Sequence, residues 1–226
     1  MINPLHAAIN QGRSVFAVNL GGVALTVVDL IARHGADCLF IDCERTPIGI
    51  ESVPALARAA KANGMSSVVR CESADAGIML RYLDCGIDGL IVPSVETAAT
   101  CDRMVSVAKQ FGKGDVSRTF LIAQIESVQG RAKLTEIASH PGVDLVLVGP
   151  NDLAHSMGFD GDTSKPELQA AVRSIASAIS ALNKPFGLPG TMQNAAEWKK
   201  RGARFFVTTI EQFITPTMRE MRGILS

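Results

Sequence analysis

The 226-residue chain has no excess of charge of either sign, since Lys plus Arg and Asp plus Glu both number 22. A nucleic-acid-binding protein usually carries a basic excess or stripe, and so does a polybasic membrane anchor. No apolar stretch reaches the roughly 18 uncharged residues that a membrane-spanning helix needs. Residues 1–11 also lack the basic and apolar regions of a signal peptide. We therefore expect a cytoplasmic globular protein with no nucleic-acid and no membrane partner.

The cysteines are few and do not form a recognisable metal or redox motif. The chain has 5 cysteines, an odd number, and no two of them form a CxxC pair. None of the 4 histidines has ligand spacing with them, so a zinc site or a catalytic thiol has little support. We expect buried free thiols of the kind common in a reducing compartment.

What the sequence does contain is one pattern repeated from end to end. Short runs rich in Val, Ile and Leu alternate with longer segments that have helical apolar spacing. The predicted strands are 15–20, 38–43, 67–71, 89–93, 119–125, 144–148, 185–188 and 204–208. The predicted helices are 23–34, 50–63, 75–84, 97–110, 128–139, 165–182, 192–201 and 211–223, with a short helix at 4–11 before the first strand.

This alternation predicts an α/β fold with a parallel sheet. The strand runs are continuously apolar, which is typical of strands covered by helices on both faces. Eight βα units without a linker or a change in composition predict a single (β/α)8 TIM barrel domain over residues 1–226. An open doubly wound sheet is the alternative. Its dinucleotide-binding form needs GxGxxG after the first strand, and residues 19–22 do not supply that motif.

Polar residues gather where the predicted strands end, at the face of a barrel that carries active sites. An Arg or a Glu that ends a buried apolar run is costly unless a partner or a ligand meets it. These residues are Asp42, Glu44 and Arg45 after strand 2, Arg70 at the end of strand 3, Gln124 and Glu126 with strand 5, and Gly149 to Asp152 after strand 6.

Two of these carboxylates predict a divalent cation. Glu126 and Asp152 follow neighbouring strands, whose backbones lie roughly 5 Å apart. Two carboxylates so close repel each other unless a cation lies between them or one stays protonated. Mg²⁺ or Mn²⁺, with Co²⁺ as a further candidate, suits such a site better than zinc, because no Cys or His is present. Two structural alternatives remain: a buried ion pair between Glu126 and Arg70, and a helix that begins at 149–152 with Asp152 in its first turn.

Several segments, taken together, resemble the HpcH/HpaI aldolase family. They cover nearly the whole chain in order: LFIDCERTP (39–47), VVRC (68–71), LDCGIDGLIVPSVET (83–97), AQIESVQG (123–130) and GVDLVLVGPNDLAHSMG (142–158). Members of this family are metal-dependent, pyruvate-forming class II aldolases related to citrate lyase β-type enzymes. Their fold is a barrel of the phosphoenolpyruvate/pyruvate type.

The resemblance implies roles for the polar residues. Glu126 and Asp152 match the two metal ligands, and Arg70 matches the arginine that holds the pyruvate carbonyl oxygen and steadies the enolate. The pyruvate carboxylate would bind to the backbone at a helix N-terminus, around Gly149, Pro150 and Asn151. Gln124 is a further candidate for substrate binding.

Three further acidic residues match the family pattern, and two other features depart from it. Asp42 and Glu44 match acidic residues near the water shell of the metal, and Asp84 matches the aspartate that pairs with the catalytic histidine. That histidine is replaced here by Arg45, which stays protonated and cannot be an ordinary base. We hypothesise that Arg45 binds an anionic group of the substrate; the alternative is an outward side chain in a surface ion pair. Region 94–118 is also shorter than in the family.

The predicted function is therefore that of a metal-dependent lyase. It would cleave a hydroxy-keto acid to an aldehyde and pyruvate, or a related 2-keto acid, through a metal-stabilised enolate. Two alternatives stay open: a variant that uses the enolate for condensation, decarboxylation or C–C hydrolysis, and a non-catalytic metabolite-binding barrel. The resemblance also implies a homo-oligomer, from dimer to hexamer. The last segment, 211–226, could pack on the barrel or on a second subunit.

Overall fold

The computed structural model describes residues 3–226, so the first two residues of the predicted domain lie outside it. Eight parallel strands form a closed barrel in sequence order, which confirms the predicted (β/α)8 fold. Every strand lies within one residue of its predicted bounds. The strands are β1 Val15–Asn19, β2 Cys38–Asp42, β3 Ser66–Arg70, β4 Gly89–Val92, β5 Phe120–Ile125, β6 Leu145–Val148, β7 Phe186–Pro189 and β8 Ala203–Thr209.

The helices surround the barrel, and most match their predicted positions. They are α1 Pro4–Asn10, α2 Leu25–Arg33, α3 Val53–Ala62, α4 Ala76–Asp84, α5 Ala98–Phe111, α6 Val128–Ala132, α7 Leu134–Ala138, α8 Pro150–Ser156, α9 Pro166–Ala181, α10 Ala195–Lys200 and α11 Glu211–Leu225. The predicted helix 128–139 is two short helices, because the backbone leaves helical geometry at Lys133 (φ −102°, ψ 12°). Helix α8 was not in the list of predicted helices, but its start agrees with the alternative of a helix beginning at 149–152.

The interior of the barrel explains why the polar residues come together. Successive residues of a strand face opposite sides, so residues two apart share a face. The inward residues of β1, β2 and β3 form a buried apolar cluster that includes Ala17, Phe40 and Val68. Two residues further along these strands, the same inward parity belongs to Asn19, Asp42 and Arg70. Strand β5 continues likewise to Gln124, so a polar layer caps the apolar interior at the carboxyl ends of the strands.

Helix α1 closes the opposite end of the barrel. Its Leu5 and Ile9 join the interior apolar cluster. The side chain of Asn3 begins the helix by accepting the N–H of Leu5 at 2.9 Å. Its amide group also donates to the carbonyl of Asp88 at 2.6 Å. The interior is therefore packed from below, and access to the polar layer is from the carboxyl ends of the strands.

Helix α11 is the one long helix of the described chain without a buried residue. Its exposed apolar side chains are Phe213, Ile214, Met218, Met221, Ile224 and Leu225. Beside its first turn lies an open groove of about 930 Å³ on the outer side of β1 and β8, lined by residues that include Phe16 and Phe206. An apolar helix face and an apolar groove are thus both left uncovered in one copy of the chain.

All five cysteines are free thiols; four are buried and Cys85 is half-buried, as expected. Among the helices of residues 3–226, none has the length and apolar character to cross a membrane.

Candidate active site

Asp42 organises the first wall of the site. It ends β2, it is only 3% exposed, and it binds the guanidinium of Arg70 through two hydrogen bonds, from Nε at 3.0 Å and from Nη2 at 2.7 Å. The amide of Asn19 donates to the same carboxylate at 3.3 Å. The backbone N–H groups of Glu44 and Arg45 donate to its Oδ1 at 3.2 and 3.1 Å. One buried carboxylate therefore fixes both the arginine of β3 and the turn after β2.

Arg70 is a fixed cation at the end of β3. Its Nε also lies 3.1 Å from Oε2 of Glu44, and its guanidinium lies 5.7 Å from the ring centroid of Phe40. Burial acts to lower the pKa of Arg70, but the hydrogen bonds and charge of Asp42, with the charge of Glu44, outweigh it and raise the pKa. No residue among 3–226 accepts a hydrogen bond from Nη1, which leaves that group for a ligand. The predicted alternative, a pair with Glu126, is not formed.

Glu126 forms the second wall, directly after β5, and is 3% exposed. Its Oε1 accepts the backbone N–H of Ser94 at 2.8 Å and the Ser94 hydroxyl at 3.1 Å. Its Oε2 accepts from the side-chain amide of Gln124. Burial raises the pKa of Glu126, and the charge of Asp152 adds to this effect, while the hydrogen bonds oppose it. Ser94 has a positive φ of 49°, a rarely populated backbone conformation that aims its N–H at this carboxylate.

Gln124 lies behind the Glu126 carboxylate. Gln124 is 2% exposed, and its side-chain amide donates to Oε2 of Glu126. Its Oε1 is buried without a hydrogen-bond partner in the described chain. Space beside these two side chains is limited by Gly149, where an added Cβ would lie 2.7 Å from Oε2 of Glu126. A residue with a side chain at position 149 would therefore push against the buried carboxylate.

Asp152 is the third residue of α8, and its partner is Arg45. The Nη2 of Arg45 donates to Oδ1 of Asp152, and Nε of Arg45 lies 3.7 Å from Oε1 of Glu44. The predicted helix start at 149–152 is present, with Gly149 as N-cap and Asp152 in the first turn. Arg45 is more than half exposed, yet it reaches over the polar layer to the opposite side of the barrel instead of pointing outward.

Asp84 is the one predicted site residue that the structure does not bring to this place. It is the last residue of α4 and is exposed. Helices of a (β/α)8 barrel run antiparallel to the strands, so the end of α4 lies at the amino ends of the strands. Within one copy of the chain, Asp84 is therefore on the face opposite to Arg70 and Glu126.

Two contributors were not predicted, Asn19 and Ser94. Asn19 could have been found from parity, because it follows Val15 and Ala17 on the inward face of β1. Ser94 had no comparable signal, since its role depends on a positive φ that a sequence does not show.

The donor set fits a hard divalent cation that keeps part of its water shell. No three His, Cys, Asp or Glu side chains of residues 3–226 are grouped so as to hold a metal by themselves. Glu126 and Asp152 would supply two oxygen ligands, and Mg²⁺ sites with one or two protein carboxylates are usually completed by water and substrate. Oε1 of Gln124, which is buried and has no hydrogen-bond partner in the described chain, lies in the same polar layer. The group Asp42, Glu44, Glu126 and Asp152 against Arg45 and Arg70 has a net charge of −2, which one divalent cation would neutralise.

The fold and the site define this protein as a TIM-barrel enzyme with carboxylates and a buried arginine at the carboxyl ends of its strands. Residues 18–210 match the family model described as HpcH/HpaI aldolase/citrate lyase. This match covers most of the chain, which therefore belongs to the HpcH/HpaI aldolase/citrate lyase family. The resemblance seen in the sequence is confirmed.

The chain is similar to enzymes named for aldolase activity. It is 30% identical to a hydroxypyruvate/pyruvate aldolase of Delftia acidovorans, over 92% of this chain and 87% of the relative. It is also 30% identical to a 5-keto-4-deoxy-D-glucarate aldolase of Shigella boydii, over 78% of each protein. The solved structure of an HpcH/HpaI aldolase from Desulfitobacterium hafniense has the same fold, with a TM-score of 0.86 at 24% identity, over 97% of this chain and 96% of that one. These similarities identify the chain as a carbon–carbon lyase.

Proposed function

We propose that the chain is a divalent-metal-dependent aldolase. It cleaves a hydroxy-keto acid to an aldehyde and pyruvate, or a related 2-keto acid. The observation that carries this proposal is Arg70, which Asp42 and Glu44 hold as a fixed cation in the same polar layer as Glu126. The names of the two relatives support the substrate class, since they refer to hydroxypyruvate, pyruvate and a keto-deoxy sugar acid.

Glu126 and Asp152 would hold Mg²⁺ or Mn²⁺, or Co²⁺ as a substitute. When bound, such an ion supplies Lewis-acid polarisation of the keto acid. The chain itself contributes Arg70, whose free Nη1 group can donate to the keto oxygen as negative charge develops there. Because Asp42 holds the guanidinium in place beforehand, little reorganisation is needed when that charge appears.

The keto-acid carboxylate fits the first turn of α8. Gly149 donates its N–H to the carbonyl of Ile125 at 3.0 Å, and Pro150 has no N–H. The donors that the helix start leaves open are therefore the backbone N–H groups of Asn151 and Asp152. Gly149 and Pro150 shape this turn, and Gln124 positions Glu126 from behind.

Glu44 is the side chain best suited to accept the substrate hydroxyl proton. Arg45 cannot accept it, and Asp84 lies on the other face of the barrel. Burial raises the pKa of Glu44, while the charge of Arg70 opposes this shift. A carboxylate with a raised pKa is a stronger base. As the C–C bond breaks, the hydroxyl proton moves to Glu44 and the bonding electrons stay on the keto-acid fragment, which then takes a proton from water.

Arg45 is placed to recognise an acidic group on the aldehyde half of the substrate. Its guanidinium is more than half exposed and can present a planar pair of donors to a carboxylate. Arg45→Ala should raise KM for an acidic aldehyde acceptor and leave KM for a neutral one within about twofold. An unchanged kcat/KM for the acidic acceptor would contradict this assignment.

The exposed apolar face of α11 supports a homo-oligomer. A single apolar residue on a surface is ordinary, but a continuous helix face beside an open apolar groove is typical of an interface. The ring of Phe213, at the start of α11, already meets that of Phe16 edge-to-face with centroids 6.3 Å apart. We infer that the rest of the helix packs against a second copy of the chain.

The function is tested by measuring keto-acid release from hydroxy-keto acids in a coupled lactate dehydrogenase assay. With Mg²⁺ or Mn²⁺ we expect turnover that chelation abolishes. Arg70→Lys should lower kcat by about 100-fold or more, because a lysine cannot keep both hydrogen bonds to Asp42 and also donate to the substrate. Full activity after chelation, or in Arg70→Lys, would contradict the proposal.

A further inference from the structure

The ion pair between Arg45 and Asp152 crosses the mouth of the barrel. Arg45 follows β2 and Asp152 lies in the helix after β6. In a closed barrel ordered β1 to β8, strands β2 and β6 are separated by three strands in either direction, so they lie on opposite walls. The bridge therefore connects the two sides of the opening above the polar layer.

The same bridge occupies a residue that the metal needs. The Nη2 of Arg45 donates to Oδ1 of Asp152, the carboxylate assigned to the cation together with Glu126. A guanidinium and a divalent cation repel each other, so both cannot remain against one carboxylate without a cost in free energy. The side chain of Asp152 is 27% exposed, and solvent therefore screens this repulsion only in part.

We propose that Arg45 is a tethered cation that holds Asp152 and bridges the barrel mouth until a divalent cation displaces it. This inference rests on the proposed metal site of Glu126 and Asp152. It predicts that Arg45 weakens metal binding and that metal binding opens the bridge.

Glu44 defines where the displaced guanidinium goes. Its Oε1 lies 3.7 Å from Nε of Arg45, so the arginine keeps a carboxylate partner on the β2 side after it leaves Asp152. The freed donors then lie at the edge of the opening, where an acidic acceptor would enter. One side chain thus couples metal loading to substrate entry.

The test is direct measurement of Mn²⁺ binding by electron paramagnetic resonance, which needs no substrate. In Arg45→Gln we expect Kd for Mn²⁺ to fall by roughly tenfold, because the competing charge is gone. Arg45→Lys keeps a charge and should stay within about threefold of the wild type. Arg58→Gln is the matched control, since it removes one positive charge from an exposed position of α3 and should leave Kd unchanged.

Thermal unfolding of the same proteins gives a second readout. With EDTA present, Arg45→Gln should melt below the wild type, because Asp152 has lost its partner. Addition of Mg²⁺ should raise the melting temperature of Arg45→Gln more than that of the wild type, since only the wild type loses an ion pair when the metal binds.

The outcomes separate this inference from the proposed metal site. Equal Mn²⁺ affinity in the wild type and Arg45→Gln, with Asp152→Asn impaired, would overturn the competition while leaving the metal site intact. An equal gain in Arg58→Gln would also overturn it, because the effect would then come from overall charge. Absence of Mn²⁺ binding in every variant would contradict both proposals together.

Discussion

At the scale of single residues, the chemistry depends on how tightly Glu126 is enclosed. An added Cβ at position 149 would lie 2.7 Å from Oε2 and 2.9 Å from Cβ of Glu126, closer than such atoms approach. The φ of Gly149 is −101°, which any residue adopts, so the constraint is space and not backbone conformation.

Gly149→Ala should therefore displace Glu126. We expect a loss of about 1–3 kcal/mol of unfolding free energy from overpacking, and at least tenfold weaker Mn²⁺ binding. Denaturant unfolding and electron paramagnetic resonance measure the two effects. Gly22→Ala is the control, because nothing lies within 4 Å of its added Cβ and its φ is not positive. Equal behaviour of the two variants would show that Gly149 does not confine Glu126.

The raised pKa of Glu44 predicts that the unfolding free energy depends on pH. Burial raises the pKa of Glu44, so the folded state binds its proton more tightly than the unfolded state does. The unfolding free energy contributed by this group is therefore highest below the ordinary Glu pKa, and it falls as pH rises through the folded value. Glu44→Gln removes this titration.

In EDTA, the wild type should lose more stability between pH 4 and pH 7 than Glu44→Gln does. Denaturant unfolding at a series of pH values provides the comparison. Glu167→Gln is the matched control, because it removes an exposed carboxylate from α9, away from the site. Parallel curves for the wild type and Glu44→Gln would contradict the raised pKa.

Site residues could be predicted from the sequence where their chemistry conflicts with their position. Glu126 and Arg70 end apolar strands, and a charge there requires a partner. The pairing of Arg45 with Asp152 could not be predicted, because it joins loops from opposite walls of the barrel. Asp84 was placed by resemblance alone, and in one copy of the chain the direction of α4 puts it on the other face.

At the scale of helices and strands, the boundaries could be predicted where a segment has a clear apolar pattern. The apolar runs predicted all eight strands because most of the strands are buried on both faces. Only the start of the short helix α8 was among the predicted alternatives, because its seven residues are too few to show a helical period. The apolar spacing of residues 128–139 likewise did not predict that the helix is divided at Lys133.

The exposed apolar face of helix α11 is predicted to be an interface between copies of the chain. Met218 is 64% exposed on its apolar face, so a charge there would be buried if the helix packs on another copy. Met218→Glu should shift the protein toward monomers in sedimentation velocity, because an unpaired buried carboxylate is costly. Leu182→Glu is the matched control, since it adds the same charge at an exposed apolar residue after α9. An unchanged oligomer in Met218→Glu, or a monomeric wild type, would contradict the interface.

At the scale of the whole molecule, the barrel separates stability from chemistry. Helix α1 and the apolar interior close the amino ends of the strands, and the polar layer opens only at the carboxyl ends. Family membership and the lyase class follow from the sequence over most of the chain. Metal dependence is the central claim that requires experiment, because it decides how Glu126, Asp152 and Arg70 act together.

The most direct test is exchange of the pyruvate methyl protons in D₂O, followed by NMR with and without Mg²⁺ or Mn²⁺. We predict metal-dependent exchange that Asp152→Asn abolishes and Arg58→Gln retains, because proton loss from that methyl group forms the same enolate as C–C cleavage. Exchange that persists in Asp152→Asn, or its absence when pyruvate and metal are both bound, would contradict the account.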